Sequence, residues 1–271
     1  MYNLVDMQTH SWYSDGTDSP EELMRHASHR GLAGVVITDH SVMDHWDESL
    51  FYAKRFQLIS TTGIELYARA STQEVHLLGY GMKHTPELAR ICKEQCDQHN
   101  RRARQIIERY KKRGFDFCFE DIPHKGYLAR FQIAQFVAKR IDTPVPVVDM
   151  HSRSDKYGGV GGFAAVPAEP IPHSTKEVID AIHEGGGRVS LAHPGEYGNV
   201  EDLIVELDEQ DIDGIECRSK KKDLDIVRKA CNMAWGLGLP ITGGSDYHGS
   251  RFRIQLGDAG VSRDDFFHFL H

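Results

Sequence analysis

Short apolar runs alternate with amphipathic stretches from the start of the chain. Residues 2–7 read as a buried strand and 34–37 as a second one, each bounded by turn formers. Between them, 21–29 has helical spacing. Ser19 is the N-cap, Pro20 takes the first helical position, Glu22 completes a capping box and Gly31 closes the helix. The same pattern predicts a helix over 47–55 and strands over 57–66 and 75–80. A long polar helix then runs from Thr85 to about Arg113, stopped by Gly114, and an amphipathic helix covers 131–137. Residues 142–173 hold Pro144, Pro146, Pro167, Pro170 and Pro172 and a glycine-rich run at 158–162, the composition of a long connection. Ser174-Thr175-Lys176-Glu177 is a second capping box, opening a helix over 178–183 that stops at Gly185-Gly186-Gly187. Strands at 188–192, 214–217 and 240–242 are separated by helices over 200–209 and 223–235. There is no internal repeat and no low-complexity tract.

This alternation predicts an α/β fold. A chain of 271 residues can bury one large barrel with an inserted piece. The expected division is 1–85 with 175–271 as the strand/helix body, and 86–174 as a mostly helical inserted subdomain that caps the active-site mouth. Charged residues at 27% and hydrophobic ones at 40% are ordinary for a soluble globular protein. A formal net charge of −8 argues against binding duplex nucleic acid or a membrane through overall charge. It leaves an anionic substrate open, because local basic groups can hold a phosphate. No apolar run reaches the roughly 18 residues of a membrane span, and no signal-peptide pattern opens the chain. The five cysteines are odd in number and form no C-x-x-C pair, which argues against a disulfide framework or a thiolate zinc site and suits a reducing cytoplasm. Cys92 and Cys96, four apart on the long helix, read as two thiols on one face, not as a ligand pair.

The chemistry lies at strand ends. His10, Asp15, His40, Glu65, His76, His193, Asp246 and His248 fall at the same end of six strands or in their exit loops, with His76 inside its strand. In alternating strand/helix folds those ends are where ligands bind. One strand-end histidine is commonly a hydrogen-bonded structural residue. Five imidazoles and three carboxylates at one face would each need a separate buried partner, whereas a multinuclear metal site satisfies all of them at once. Imidazole with carboxylate suits manganese, iron or zinc.

Together these segments resemble the PHP (polymerase and histidinol phosphatase) family. The segments are Asp6-x-Gln8-x-His10 with Ser14-Asp15-Gly16, then Thr38-Asp39-His40, Gly63-Ile64-Glu65, Val75-His76, Ala192-His193-Pro194 and Ser245-Asp246-Tyr247-His248. The nearest likeness is to stand-alone nucleotide and nucleoside bisphosphate phosphatases and short-RNA 5′-exonucleases with a helical insertion. The resemblance implies a distorted seven-stranded (β/α) TIM-like barrel and two to three divalent transition metals (Mn, Fe or Zn). It implies a first metal on His10, Glu65 and Asp246, a second on His76 and His193 with Glu65 as the bridge, and a third on Asp15, His40 and His248. One position departs from the family: Gln8 stands where its first motif carries histidine. An amide oxygen can ligate, but it is neutral and a poorer donor than imidazole. A smaller departure is Ser41, where many relatives carry Asp.

The function implied is a metal-dependent phosphoric ester hydrolase, acting on a phosphomonoester of a nucleotide or small phosphorylated metabolite through a hydroxide bridging two metals. Release of terminal nucleotides from short oligonucleotides fits the same chemistry. His193 and Asp246 are candidates for managing a proton as well as for ligation. By the resemblance, Arg130 touches the substrate phosphate, and Gln132 stands where relatives carry histidine. The run Arg218-Ser219-Lys220-Lys221-Lys222, directly after a strand, reads either as added positive potential for a polyanion, with Lys220 a substrate ligand, or as a solvated charge run. Arg101, Arg102 and Arg104 read as solvated helix residues. The alternatives are a weakened or non-catalytic metal-binding domain with a regulatory role, favoured by Gln8, and a metal-dependent amidohydrolase. The sequence implies nothing about oligomeric state.

Overall fold

The computed structural model describes residues 3–153, 161–218 and 223–271. The chain divides into two compact units, Met1–Lys93 with Ile171–His271, and Glu94–Pro170.

The first unit begins with β1 (Leu4–Thr9), α1 (Pro20–His29), β2 (Gly34–Ile37) and α2 (Trp46–Arg55). The Ser19 hydroxyl accepts from the Glu22 N–H and the Glu22 carboxylate reaches back to the Ser19 N–H, which fixes where α1 starts. β3 (Gly63–Arg69) and β4 (Glu74–Tyr80) follow, and then α3 (Pro86–Lys111), whose residues from Glu94 onward belong to the second unit. That unit continues with α4 (Arg130–Arg140) and a short α5 (Val145–Asp149). The proline-rich stretch read as pure connection therefore contains one short helix, and Pro144 serves as its N-cap residue. The first unit resumes with α6 (Thr175–Glu184), β5 (Arg188–Leu191), α7 (Val200–Asp208), β6 (Gly214–Arg218), α8 (Leu224–Leu237) and β7 (Ile241–Gly243). It ends with β8 (Val261–Ser262) and α9 (Arg263–Leu270), capped by the Ser262 hydroxyl on the Asp265 N–H.

The strands form two sheets, ordered β2-β1-β8 and β3-β4-β5-β6-β7, and among the described residues their pairing does not close into one seven-stranded barrel. Two isolated bridges join the sheets, His40 to Glu65 and Thr9 to Tyr247. β1 and β2 are parallel, as are β5, β6 and β7, but β4 is antiparallel to both β3 and β5. His76, read from the sequence as lying inside its strand, is the third residue of β4. β3 starts later than expected, so Glu65 is its third residue and the strand continues to Arg69. Glu65 and Tyr67, two apart, share a face, and Tyr67 pairs with His76.

Separate apolar clusters hold the layers. Ile64, Leu66, Leu77, Val189, Leu191 and Ile215 pack beneath Ile179, Ile182, Leu203 and Leu207 of α6 and α7. Val5 and Met7 pack with Val261, Phe266 and Phe269, so β8 and α9 close the underside of β1. In the second unit Ile106, Tyr110, Phe117, Ile133, Val137 and Val148 form an independent core. Full burial of such side chains is worth about 1.5–3 kcal/mol each.

The loop after β7 runs against β1 at Gly244, where a Cβ would lie 2.4 Å from the Gln8 amide nitrogen. Neither backbone can retreat, because the Asp246 N–H donates to the Gln8 carbonyl at 2.9 Å. Gly244→Ala is expected to lower stability by roughly 1–3 kcal/mol through overpacking. Urea denaturation checks this, and an unchanged midpoint would mean that the loop separates from β1 at little cost.

Candidate metal centre

The eight donors arrive from six pieces of the first unit. His10 follows β1, and Asp15 sits in the turn after it. Gly16 makes that turn possible, since a Cβ there would lie 2.1 Å from the His10 carbonyl. His40 follows β2, Glu65 and His76 come from β3 and β4, His193 follows β5, and Asp246 and His248 follow β7. Three residues at this face, Ser41, His193 and Asp246, hold positive φ (54°, 30° and 55°) without being glycine. Such conformations cost of order 1–3 kcal/mol each and persist where the surrounding structure over-determines them.

Glu65, 1% exposed, is the hub. Its Oε1 lies 2.6 Å from His76 Nδ1 and 3.1 Å from His193 Nε2. Its Oε2 lies 3.0 Å from His10 Nε2 and accepts the Gln8 side-chain N–H at 3.1 Å. His10 Nε2 is also 3.0 Å from Asp246 Oδ1. Asp15 Oδ1 faces His248 Nε2 at 3.2 Å, His40 Nε2 at 3.8 Å and His10 Nδ1 at 3.9 Å. The donor atoms fall into three groups able to hold an ion: His10, Asp15, His40 and His248; His40, Glu65 and His76; and His10, Glu65 and Asp246.

The residues fit metal ions. Gln8 Oε1, both ring nitrogens of His10 and Asp15 Oδ1 are buried without a hydrogen-bond partner. Orphaned polar atoms of this kind are costly unless a cation takes them up. His10 makes the point most directly, since its Nε2 lies 3.0 Å from two carboxylates and is aligned with neither as a hydrogen bond.

The electrostatics agree with this. Burial pushes the His40 and His76 imidazoles down, and His248 to about 4, so these rings are neutral donors at pH 7. Burial works against charge on Glu65 too, but His40, His10, His193 and His76 outweigh it and hold the carboxyl well below the usual range. Asp15 is likewise held down by His248, His40 and Arg251 against its own burial. Burial also disfavours charge on His10, but Glu65, Asp15 and Asp39 outweigh it and push His10 up.

Further residues, which strand-end reading does not find, hold the donors in place. Asp6 accepts from the Ser245 N–H, the Ser245 hydroxyl and the Gly257 N–H at 2.6–2.8 Å, tying β1 to the loop that carries Asp246. Its burial pushes it up to about 6. Asp39 accepts from the Ser11 N–H and from the hydroxyls of Ser11 and Ser14, which sets the turn bearing Asp15. Glu216 accepts the His193 N–H at 2.7 Å. The Tyr197 hydroxyl lies 3.3 Å from His193 Nδ1 and accepts the His76 N–H at 2.9 Å. The motif spacing hinted at Asp6 and Asp39, whereas Tyr197 and Glu216 carry no sequence signal.

Arg130 and Gln132 belong to the second unit. Arg130 Nη1 bonds the Asp149 carboxylate and, at 3.0 Å, the Asp149 carbonyl, while Gln132 Oε1 accepts the Ala129 N–H at 2.7 Å as a helix cap. Lys220, with Ser219, Lys221 and Lys222, lies outside the described residues, as do 158–160 of the glycine run. Arg101 pairs with Glu169, Arg102 donates to the Val166 carbonyl, and Arg104 pairs with Glu120. These three tie the long helix to its own unit. All five cysteines are free thiols, with Cys92 buried and Cys96 partly exposed. No helix among the described residues is long and apolar enough to cross a membrane.

The PHP domain profile matches residues 6–153, more than half of the chain, and the chain belongs to that family. It is 25% identical over 255 residues to the phosphoribosyl 1,2-cyclic phosphate 1,2-diphosphodiesterase of Eggerthella lenta, covering 93% of this chain and 96% of the relative. It is 27% identical over 254 residues to the 3′,5′-nucleoside bisphosphate phosphatase of Chromobacterium violaceum, covering 90% and 87%. A structure from Bifidobacterium adolescentis, assigned as a metal-dependent phosphoesterase, superposes with a TM-score of 0.84 at 24% identity over 98% of this chain and 95% of that one, which shows the shared fold. Family, relatives and donor set define the class: a metal-dependent phosphoric ester hydrolase.

Chelator treatment is expected to lower the melting temperature by several degrees and added manganese to restore it, since a ligand at 100 times its Kd stabilises by about 2.7 kcal/mol. His76→Ala should shrink that shift. A melting temperature indifferent to chelator and manganese alike would count against a metal centre.

Proposed function

We propose that the chain hydrolyses a phosphomonoester of a nucleotide or small phosphorylated metabolite, with two to three divalent transition metals (Mn, Fe or Zn) at the site. One observation carries the reading: a buried carboxylate, Glu65, offers each of its oxygens to a different set of imidazoles, as a residue shared between two cations would. Gln8, His10, Asp15, His40, Glu65, His76, His193, Asp246 and His248 are the proposed ligands. When bound, the metals supply Lewis acidity, which lowers the pKa of water and offsets charge on phosphate oxygens. Glu65, Asp15 and Asp246 hold the negative charge that collects the cations. His193 and Asp246 are the proposed groups for moving a proton. Arg130 is proposed to bind the substrate phosphate, with Gln132 as a lesser contact, on the family resemblance, and Lys220 as a further contact on the basic run 218–222.

The bridges His40–Glu65 and Thr9–Tyr247 support reading the two sheets as a distorted barrel of the family's type; the helical content of 86–149 supports reading 86–174 as the inserted subdomain. The five free thiols suit a reducing cytoplasm.

A second reading, a metal-binding domain without turnover, draws on Gln8. Its amide occupies Glu65 Oε2 by hydrogen bonding and brings no charge and no imidazole.

Elemental analysis of protein purified without chelator, together with turnover on a panel of phosphomonoesters, nucleotides and short oligonucleotides, separates the two. Two to three metals with turnover is the expected result, and Gln8→His should bind at least as many. Metal without turnover in the wild type, but turnover in Gln8→His, would favour the second reading. Arg130→Ala is expected to raise KM at least tenfold, and an unchanged KM would remove Arg130 from the substrate site.

A further inference from the structure

Arg251 reaches the cluster from a direction that no metal-ligand motif predicts. After His248 the chain makes a single 3-10 turn, Gly249–Arg251, with Gly249 at φ 70°. This turn is fastened to the loop after β1. The Ser250 N–H donates to the Thr17 hydroxyl at 2.9 Å, and the Tyr247 hydroxyl donates to Asp18 at 2.8 Å. A Cβ on Gly249 would collide with the Thr17 hydroxyl at 1.8 Å. So held, Arg251 Nη1 donates to Asp15 Oδ2, while Asp15 Oδ1 is the oxygen facing His248, His40 and His10. The guanidinium therefore occupies the outer oxygen of a carboxylate whose inner oxygen points into the cluster. It also lies 4.8 Å over the Phe252 ring, which stands nearly perpendicular to the His248 ring at a centroid distance of 5.4 Å. Phe252 is 42% exposed and the Arg251 side chain 16%, so the pair stands between the cluster and solvent.

A permanent cation one carboxylate away from a metal site works against metal binding. It withdraws donor charge from Asp15 and repels the incoming ion. What it favours is an anion that comes to the metals, and most of all the charge that builds on phosphate oxygens during hydrolysis. A guanidinium already fixed by a carboxylate and an aromatic face loses little freedom when it makes such a bond, and its planar fork matches phosphate geometry.

We propose that Arg251 is a substrate-binding residue of this site, holding a phosphate oxygen at the corner formed by Asp15, His40 and His248, with Phe252 as the aromatic surface that keeps the guanidinium in place. The inference deepens the phosphoesterase reading and rests on it.

The test uses metal-loaded full-length protein and inorganic phosphate as the probe, by calorimetry, with metal content measured on the same samples. Arg251→Gln removes the charge but leaves an amide able to donate to Asp15. It is expected to keep its metals, to bind phosphate at least tenfold more weakly and to raise KM for a phosphomonoester more than it lowers kcat. Arg251→Lys is expected to recover phosphate affinity to within about threefold of wild type. Wild-type phosphate affinity in the Gln variant would overturn the proposal. So would loss of metal from either variant, which would give Arg251 to the positioning of Asp15 alone, and so would wild-type protein that loads metal yet binds no phosphate. If phosphate binding falls as expected but no ester on the panel is turned over, Arg251 stands as an anion ligand and the hydrolytic reading fails.

Discussion

A carboxylate inside a protein must be compensated, and the burial of Glu65 at the junction of two sheets is the constraint on which this site depends. An isolated buried charge is disfavoured by several kcal/mol, so the chain surrounds this one with His10, His76 and His193 and the amide of Gln8. Those partners come from β1, β4, β5 and the loops after them. The sheets must therefore be placed accurately for the carboxylate to be tolerated at all. The bridge that joins β2 to β3 passes through Glu65 itself, at His40.

Two further buried carboxylates do the supporting work by hydrogen bonding. Asp6 gathers Ser245 and Gly257, and Asp39 gathers Ser11 and Ser14. Each ties one loop of the centre to a neighbouring strand. The loops so tied carry Asp15 and Asp246, and the Asp246 N–H adds a backbone bond to the Gln8 carbonyl of β1. The positive φ values at Ser41, His193 and Asp246 belong to the same design: strained backbone is tolerated where hydrogen bonds from several elements converge. The result is a set of donors held by the chain's own hydrogen bonds, and preorganisation of that kind is what electrostatic catalysis of phosphate chemistry requires.

Much of this was legible in the chain because the signals are local. Capping boxes at Ser19 and Ser174 mark where their helices begin, since a cap is a hydrogen bond across three positions, although the second helix runs from Thr175 to Glu184 and not only over 178–183. The donors His10, His40, His193, Asp246 and His248 could be found because they follow apolar runs directly. Other features were hidden. β8 is only two residues long and exists because β1 offers an edge, and α9 is capped from within it. The reversal of β4 is set by pairing with β3 and β5, to which a single strand's pattern is blind. Tyr197, Glu216 and Arg251 act across long sequence separations and sit in no recurring spacing.

The sequence by itself determined which chemistry this protein is equipped for. Five imidazoles and three carboxylates at the edges of apolar runs imply cations, because no other partner would satisfy them together, and the family motifs place that set among the phosphoesterases. Only the tertiary structure decided how those groups share their oxygens. It alone shows that Gln8 points its amide at Glu65, that His76 joins the site through a reversed strand, and that Asp15 turns one oxygen inward and the other to Arg251. The reason is that residue type sets what an atom can bond, whereas the packing of distant strands and loops sets which atoms come within about 3 Å of one another.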